Sequence, residues 1–189
     1  VPTLNVVGRG IRGKAPANQE SFVVTEALEG MISLEQLTQR WGELPSRQRM
    51  FLKRELISQV AHIAKTIHRN GLNHRDFYLC HFLVKDRDWS QWQPSQSLVL
   101  HLIDLHRMQH RSEVPKRWWA KDVTGVFFSA MDCDLTRNDL LRFARIYWDG
   151  SVRERVWEKP GVLWEIYRKA RRLYQSIHGR KAPDPAAGR

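Results

Sequence analysis

Asn70-Gly71-Leu72-Asn73-His74-Arg75-Asp76-Phe77-Tyr78-Leu79-Cys80-His81-Phe82-Leu83-Val84 is the stretch whose reading decides the fold. It opens on Asn70-Gly71, a helix stop, because glycine accepts the left-handed conformation just past a helix end. It closes on His81-Phe82-Leu83-Val84, which reads as a strand. Between them, His74-Arg75-Asp76 occupies a linker. On the amino side, Leu52, Leu56, Val60, Ile63 and Ile67 recur at helical spacing, so the spacing predicts a long helix opened by Pro45-Ser46. On the carboxyl side, Ser97 to Ile103 is the expected partner of the His81–Val84 strand, across a polar loop from Lys85 to Gln96. That hairpin would deliver Asp104 to the same edge as Asp76.

Further out, Leu4, Val6 and Val7 precede an expected bend over Gly8–Gly13, and Ser21 to Thr25 is rich in β-formers. Ser33 is placed to cap a short helix beginning Leu34-Glu35-Gln36-Leu37. After Arg111 the pattern becomes helical. Asp122 to Met131 reads as a buried helix with Asp122 at its start, and Thr136 opens another with Asp139 three residues on as a capping-box variant. Val162 to Ile177 puts Leu163, Ile166, Tyr167, Ala170, Leu173, Tyr174 and Ile177 on one face. Gly179 ends that helix, and Lys181 to Arg189 is expected to fray. No internal repeat or low-complexity tract is present.

The order is a small β piece, a long helix, a hairpin and then helices. It predicts an α+β fold matching the helical carboxy-terminal lobe of a protein-kinase-like architecture, with the last strands of the amino-terminal lobe attached. Residues 1–29 would be the remnant of that first lobe and its hinge, 30–180 the second lobe, and 181–189 a flexible tail.

Composition narrows the functional classes. The chain has 189 residues, 42% hydrophobic and 27% charged, which is globular usage for one core. No apolar run is long enough for a transmembrane helix. Two cysteines, Cys80 and Cys133, cannot form a disulfide framework and favour a reducing compartment. The sequence begins at Val1 without a recognisable signal peptide, and without Met it reads as a piece of a longer protein. Thirty-one Lys and Arg against 20 Asp and Glu give a net charge of +11. Such a surface favours anionic partners. The eight tryptophans suit either core packing or, beside this charge, a membrane interface.

Asp76 and Asp104 are the candidate chemical groups. In a kinase-type site one aspartate takes or orients the proton of the acceptor hydroxyl, while a second holds magnesium on the phosphates. Two features depart from the usual kinase pattern. His81 stands where an asparagine is customary, and Asp104-Leu105-His106 replaces Asp-Phe-Gly. Imidazole is a poorer magnesium ligand than an amide oxygen.

The segments Asn73 to Leu83 and Leu102-Ile103-Asp104-Leu105-His106-Arg107 resemble the bacterial lipopolysaccharide core heptose(I) kinase family. So do Lys121-Asp122, Phe127 to Met131, Leu135-Thr136-Arg137 and Gln19 to Glu26, and the resemblance runs from about Val1 to Leu173. His81 itself fits the family pattern. The resemblance implies ATP- and Mg2+-dependent phosphorylation of a heptose hydroxyl in the lipopolysaccharide inner core. It also implies a cytoplasmic location, peripheral to the inner membrane of a Gram-negative bacterium. Carried onto this chain, it makes His74, Arg75 and Asp76 the catalytic triplet, with Asp76 as the catalytic aspartate. Asp104 would bind the metal, and Asp122 would support the catalytic-loop backbone. Thr25 to Leu28 would be the hinge, with the Glu26 carbonyl and the Leu28 amide facing adenine. His81 would complete the cofactor site.

A kinase also needs a glycine-rich loop, a strand lysine and a helix glutamate ahead of the hinge. Gly8-Arg9-Gly10-Ile11-Arg12-Gly13 spells G-x-G-x-x-G, but no lysine-bearing strand or paired helix fits before Asp76. No helix follows it either, so a dinucleotide site fails as well. The expectation is a turn between two strands, and weak ATP binding with poor turnover by this segment alone.

Rival readings are a related phosphotransferase for another hydroxylated acceptor (an aminoglycoside or a protein tyrosine), a non-catalytic kinase remnant, and a zinc site among the histidines. None of those histidines shows zinc spacing. A basic nucleic-acid-binding domain is the rival from a different class. Its cations are scattered and no binding motif is present, so nucleic acid is not expected as a partner. Acceptor specificity is expected in loops such as 85–96 and 107–120, where Trp89, Trp92, Arg107, Arg111, Lys116, Arg117 and Trp118 either sit against sugars and phosphates or are solvated charges with the tryptophans packed inward.

Overall fold

A computed structural model describes residues 1–15, 18–94, 96, 98–148 and 160–185. Trp157, the start of the expected strand at Ser97 and the last four residues of the expected tail lie outside them.

The chain begins with an antiparallel hairpin of β1 (Val6–Arg12) and β2 (Glu20–Thr25). The expected bend over Gly8–Gly13 is instead the body of β1. Gly10 pairs with Phe22, whose ring lies so close that a Cβ on Gly10 would meet it at 2.4 Å. Glycine is thus used here for close approach of an aromatic side chain. Only Gly13, at φ +101°, belongs to the turn.

Next come β3 (Met31–Ser33) and α1 (Leu34–Arg40). Ser33 closes a full capping box with Gln36. Helix α2 (Ser46–Arg69) is the long element read from the sequence; it buries Leu52, Leu56, Val60, Ile63 and Ile67. Strand β3 is one edge of a three-stranded antiparallel sheet with β5 (Phe82–Lys85) in the middle and β6 (His101–Leu102) beyond. Leu102 N–H donates to the Pro2 carbonyl, so the chain start lies along β6.

Two expectations between β5 and β6 are corrected. The segment from Lys85 is not all loop, because Asp86–Ser90 forms a short helix, α3. Trp89 and Trp92 are buried, which decides between the two alternatives in favour of inward packing. Their indole N–H groups are paired with Asp86 Oδ1 at 2.8 Å and the Gln96 carbonyl at 3.0 Å. The second strand is short: Leu98 and Leu100 point inward and Val99 outward, yet ladder bonds begin only at His101.

The two-residue strands β4 (Leu72–Asn73) and β7 (Gln109–His110) pair antiparallel. Helix α4 (Lys116–Ser129) starts six residues earlier than expected, so Asp122 lies in its second turn rather than at its start. Helix α5 (Arg137–Tyr147) carries the Thr136–Asp139 capping box and packs on α2. Helix α6 (Pro160–His178) packs on α4 through Ile166, Tyr167, Ala170 and Tyr174, while Ile177 is exposed. Beyond it, Ala182 is buried and Asp184 pairs with Arg171 at 2.8 Å, so the start of the expected frayed end is docked. No described helix is long and apolar enough to cross a membrane.

Candidate active site

The site is built on the loop between β4 and β5. Gly71, at φ +73°, turns the chain out of α2, and its carbonyl accepts from Arg111 N–H at 2.8 Å. The β4–β7 pairing then ties the start of this loop to the segment following Asp104.

Asp122 holds the loop from below. Its carboxylate is 1% exposed, and it accepts from His74 N–H at 2.7 Å and from Arg75 N–H at 2.8 Å. His68 Nε2 approaches the same carboxylate at 3.1 Å, while its Nδ1 meets the Tyr147 hydroxyl at 2.7 Å. A neutral ring with the proton on Nε2 satisfies both contacts, with the tyrosine as donor to Nδ1. Burial, then the Asp122 charge, push the Tyr147 hydroxyl well above the usual tyrosine range, which keeps it a donor. Arg75 sits at φ +77°, a left-handed conformation that costs a non-glycine residue about 1–2 kcal/mol and is held by these bonds.

The loop side chains diverge. His74 is fully buried; its Nε2 donates to the Ile103 carbonyl at 2.9 Å, and its ring stacks on His81. Burial lowers its pKa from 6.5, so the neutral form is favoured. Arg75 turns toward Trp118 instead of toward Asp76. Of the expected triplet, therefore, only Asp76 presents its carboxylate to the site.

His81 connects the two aspartates. Its Nδ1 donates to the Asp76 carbonyl at 2.6 Å, and its Nε2 faces Asp104 Oδ2 at 3.2 Å. Asp104 is reached through the β5–β6 pairing, with Ile103 N–H bonded to the His81 carbonyl, and it adopts φ +62°. Its other oxygen contacts His106 Nδ1. Asp104 is one-third exposed and Asp76 less so. The partly open Asp104 carboxylate could supply one oxygen ligand to a cation that keeps several waters and shares phosphate oxygens, since no group of three or more candidate metal ligands occurs among the described residues.

Arg107 is the site residue whose role sequence reasoning missed. Its Nη1 lies 3.0 Å from Asp76 Oδ1 and 2.8 Å from Oδ2, so the Asp76 carboxylate is ion-paired. Tyr78, with its ring against His81, has a hydroxyl pKa raised by burial and by the Asp76 charge. Glu26 and Leu28 follow β2 in the chain, and Glu26 N–H donates to the Asn5 carbonyl at 3.0 Å. Its side chain is exposed and accepts from Asn5 Nδ2.

Comparison with known proteins places this geometry in context. The sequence model of the lipopolysaccharide kinase (Kdo/WaaP) family matches residues 1–147. The chain is 44% identical over 176 residues to the lipopolysaccharide core heptose(I) kinase WaaP of Pseudomonas aeruginosa, covering 93% of this chain and 63% of that protein. It is 37% identical over 173 residues to the protein of the same name from Escherichia coli K12, again covering 63% of it. The chain thus spans somewhat under two-thirds of the length of these relatives. Among solved structures, one described as WaaP in complex with acyl carrier protein matches with a TM-score of 0.81 at 42% identity. That match covers 92% of this chain and 70% of the other.

Proposed function

The chain belongs to the lipopolysaccharide kinase (Kdo/WaaP) family and has its kinase-like fold, and from that premise we propose that it carries the catalytic half of an ATP-dependent sugar kinase. The acceptor is a heptose hydroxyl in the lipopolysaccharide inner core. The observation that carries this reading is His81, which ties the Asp76 backbone to the Asp104 carboxylate on one edge of the β5–β6 hairpin.

In this reading Asp76 orients the acceptor hydroxyl and takes its proton as the new O–P bond forms and the bond to the ADP oxygen breaks. Asp104 would hold Mg2+, which when bound would supply charge neutralisation on the transferred phosphoryl group. His81 fixes the relative position of the two carboxylates. Arg107 releases Asp76 or shares it with the acceptor, since a fully paired carboxylate is a weak base. His74 and Arg75 are positioning residues, the first through Ile103 and the second through its backbone bond to Asp122. The Glu26 carbonyl and Leu28 amide take adenine. We further assign residues 1–29 to the end of the amino-terminal lobe, with Val6, Ile11, Phe22 and Val23 exposed on its hairpin. The remainder is the second lobe.

The +11 charge supports work at an anionic surface, and we place the protein peripherally at the cytoplasmic face of the inner membrane. An acyl carrier protein is proposed as a second partner, supported by the likeness to the solved complex. Co-purification from cells tests that point, with no acyl carrier protein recovered as the contrary result. For the activity itself, the full-length protein should transfer labelled phosphate from ATP to dephosphorylated core lipopolysaccharide. Asp76→Asn should abolish transfer while leaving the fold intact.

A further inference from the structure

Trp118, in the first turn of α4, is surrounded by cations. The charged groups of Arg75, Arg111, Arg117 and Lys121 lie 5.5, 5.6, 5.1 and 5.9 Å from its ring centre. None of the four has an ion-pair partner among the described residues. Among the described residues the Arg111 guanidinium donates to the neutral side chains of Asn73 and Gln109. Of the acids on or against α4, Asp122 is committed to the backbone of the loop and Glu165 to Lys169 at 3.1 Å, while Glu113, on the approach to the helix, is exposed to solvent. Four positive groups gathered on one ring repel each other unless an anion joins them.

Three further observations point the same way. Arg75 Nε and Trp118 Nε1 are buried N–H donors without an acceptor among the described residues, a costly state that a ligand oxygen would relieve. Helix α4 is preceded by Pro115, which offers no side-chain cap; the Pro115 carbonyl accepts from Trp118 N–H at 2.9 Å, and the Lys116 and Arg117 amides ahead of that bond have no intrahelical partner. Its first turn carries Lys116 and Arg117 and no acid, opposite to what the positive end of a helix dipole favours. An oxyanion here would meet three guanidinium groups, an ammonium and a helix start together.

We propose that Arg75, Arg111, Arg117 and Lys121, gathered around Trp118, form a second anion site that takes a phosphomonoester group. It is separate from the Asp76–Asp104 edge, yet joined to it, because Arg75 directly precedes Asp76 and Arg111 closes onto Gly71. Its use in acceptor recognition rests on the kinase reading above; the anion site itself does not.

The test is binding without ATP or turnover. The full-length protein is titrated with inorganic phosphate and with a soluble sugar phosphate at constant ionic strength, reading tryptophan fluorescence. Saturable binding is expected, weakened about tenfold or more in the double variant Arg117→Gln/Lys121→Gln, since each charge-assisted hydrogen bond is worth a comparable factor. Both positions are exposed, so the fold should persist; Trp118→Phe, which keeps a ring and deletes Nε1, gives an independent reading and should also weaken binding. Vesicles of phosphatidylcholine with and without phosphatidate identify the source. Binding of phosphatidate vesicles that is lost in the double variant assigns the group to a lipid, whereas binding of the sugar phosphate alone assigns it to a saccharide. A phosphate effect no larger than that of chloride, or equal binding by wild type and both variants, overturns the proposal. Asp76→Asn should bind phosphate normally, so a failed phosphotransfer assay and a failed anion site remain distinguishable.

Discussion

Replacing Asp122 should cost the fold more than any surface substitution, and the size of the loss can be worked from its bonds. The carboxylate is buried and accepts from two backbone amides, His74 N–H and Arg75 N–H, besides His68. Asp122→Ala strands both amides, at about 1–3 kcal/mol for each buried donor left unpaired. His74 is wholly buried, whereas Arg75 is partly open to water, so the sum falls near 4 kcal/mol rather than at the upper limit. Asp122→Asn keeps one acceptor oxygen and turns an NH2 toward the other amide, so about half the loss is expected. For a chain of this size 1 kcal/mol moves the melting temperature by about 2–4 °C, giving roughly 8–16 °C for alanine and half that for asparagine. Denaturant unfolding followed by circular dichroism measures the free energy, and hydrogen exchange at the His74 and Arg75 amides locates it. Asp134→Asn, at an exposed position, serves as the control and should stay within about 0.5 kcal/mol. An alanine variant within 1 kcal/mol of wild type, with both amides still protected, would refute the reasoning.

Other expectations follow from single sites. Gly71→Ala should destabilise by about 2 kcal/mol or more, since the residue is left-handed and a Cβ would meet the Arg111 carbonyl oxygen at 1.8 Å; an unchanged denaturation midpoint would contradict this. Burial pushes the Asp139 carboxyl up, but Lys53 and the Thr136 amide and hydroxyl outweigh it and leave its pKa below the ordinary 3.8. Its contribution is therefore fully present above pH 3.8 and lost as pH falls through the lower folded value. Asp139→Asn should flatten that acid limb, and an identical pH profile would count against it. Burial raises the Cys133 thiol to about 11, so a thiol reagent at neutral pH should leave it unmodified until the protein unfolds. Fast labelling of Cys133 in the folded protein, located by peptide mapping, would disprove its inaccessibility.

Local signals in the sequence were legible where a few neighbouring residues decide the outcome. Ser33 with Gln36, and Thr136 with Asp139, close their boxes within one turn, and α2 carries enough apolar repeats to reveal its buried face. The Asp76 and Asp104 region was legible because a helix stop, a strand and a second strand bracket it. What escaped depends on distant partners or on very short elements. Helix α3 spans five residues, too few for a period to appear, and its charged neighbours disguise the burial of Trp89. Nothing near Gly10 announces that Phe22 lies across it on the paired strand. Arg107 reads as one more loop cation in the sequence; its contact with Asp76, 31 positions away, exists only once β4 and β7 pair. His74 and Arg75 belong to the motif, yet their side chains turn away from Asp76, which local sequence does not encode.

Phosphotransfer by the full-length protein, wild type against Asp76→Asn and Asp104→Asn, tests the central claim most directly. With ATP, Mg2+ and core lipopolysaccharide stripped of phosphate, wild type should label the heptose, and both folded variants should lose transfer by at least about a hundredfold. Labelling that survives Asp76→Asn undiminished would contradict the assignment of this edge as the catalytic site.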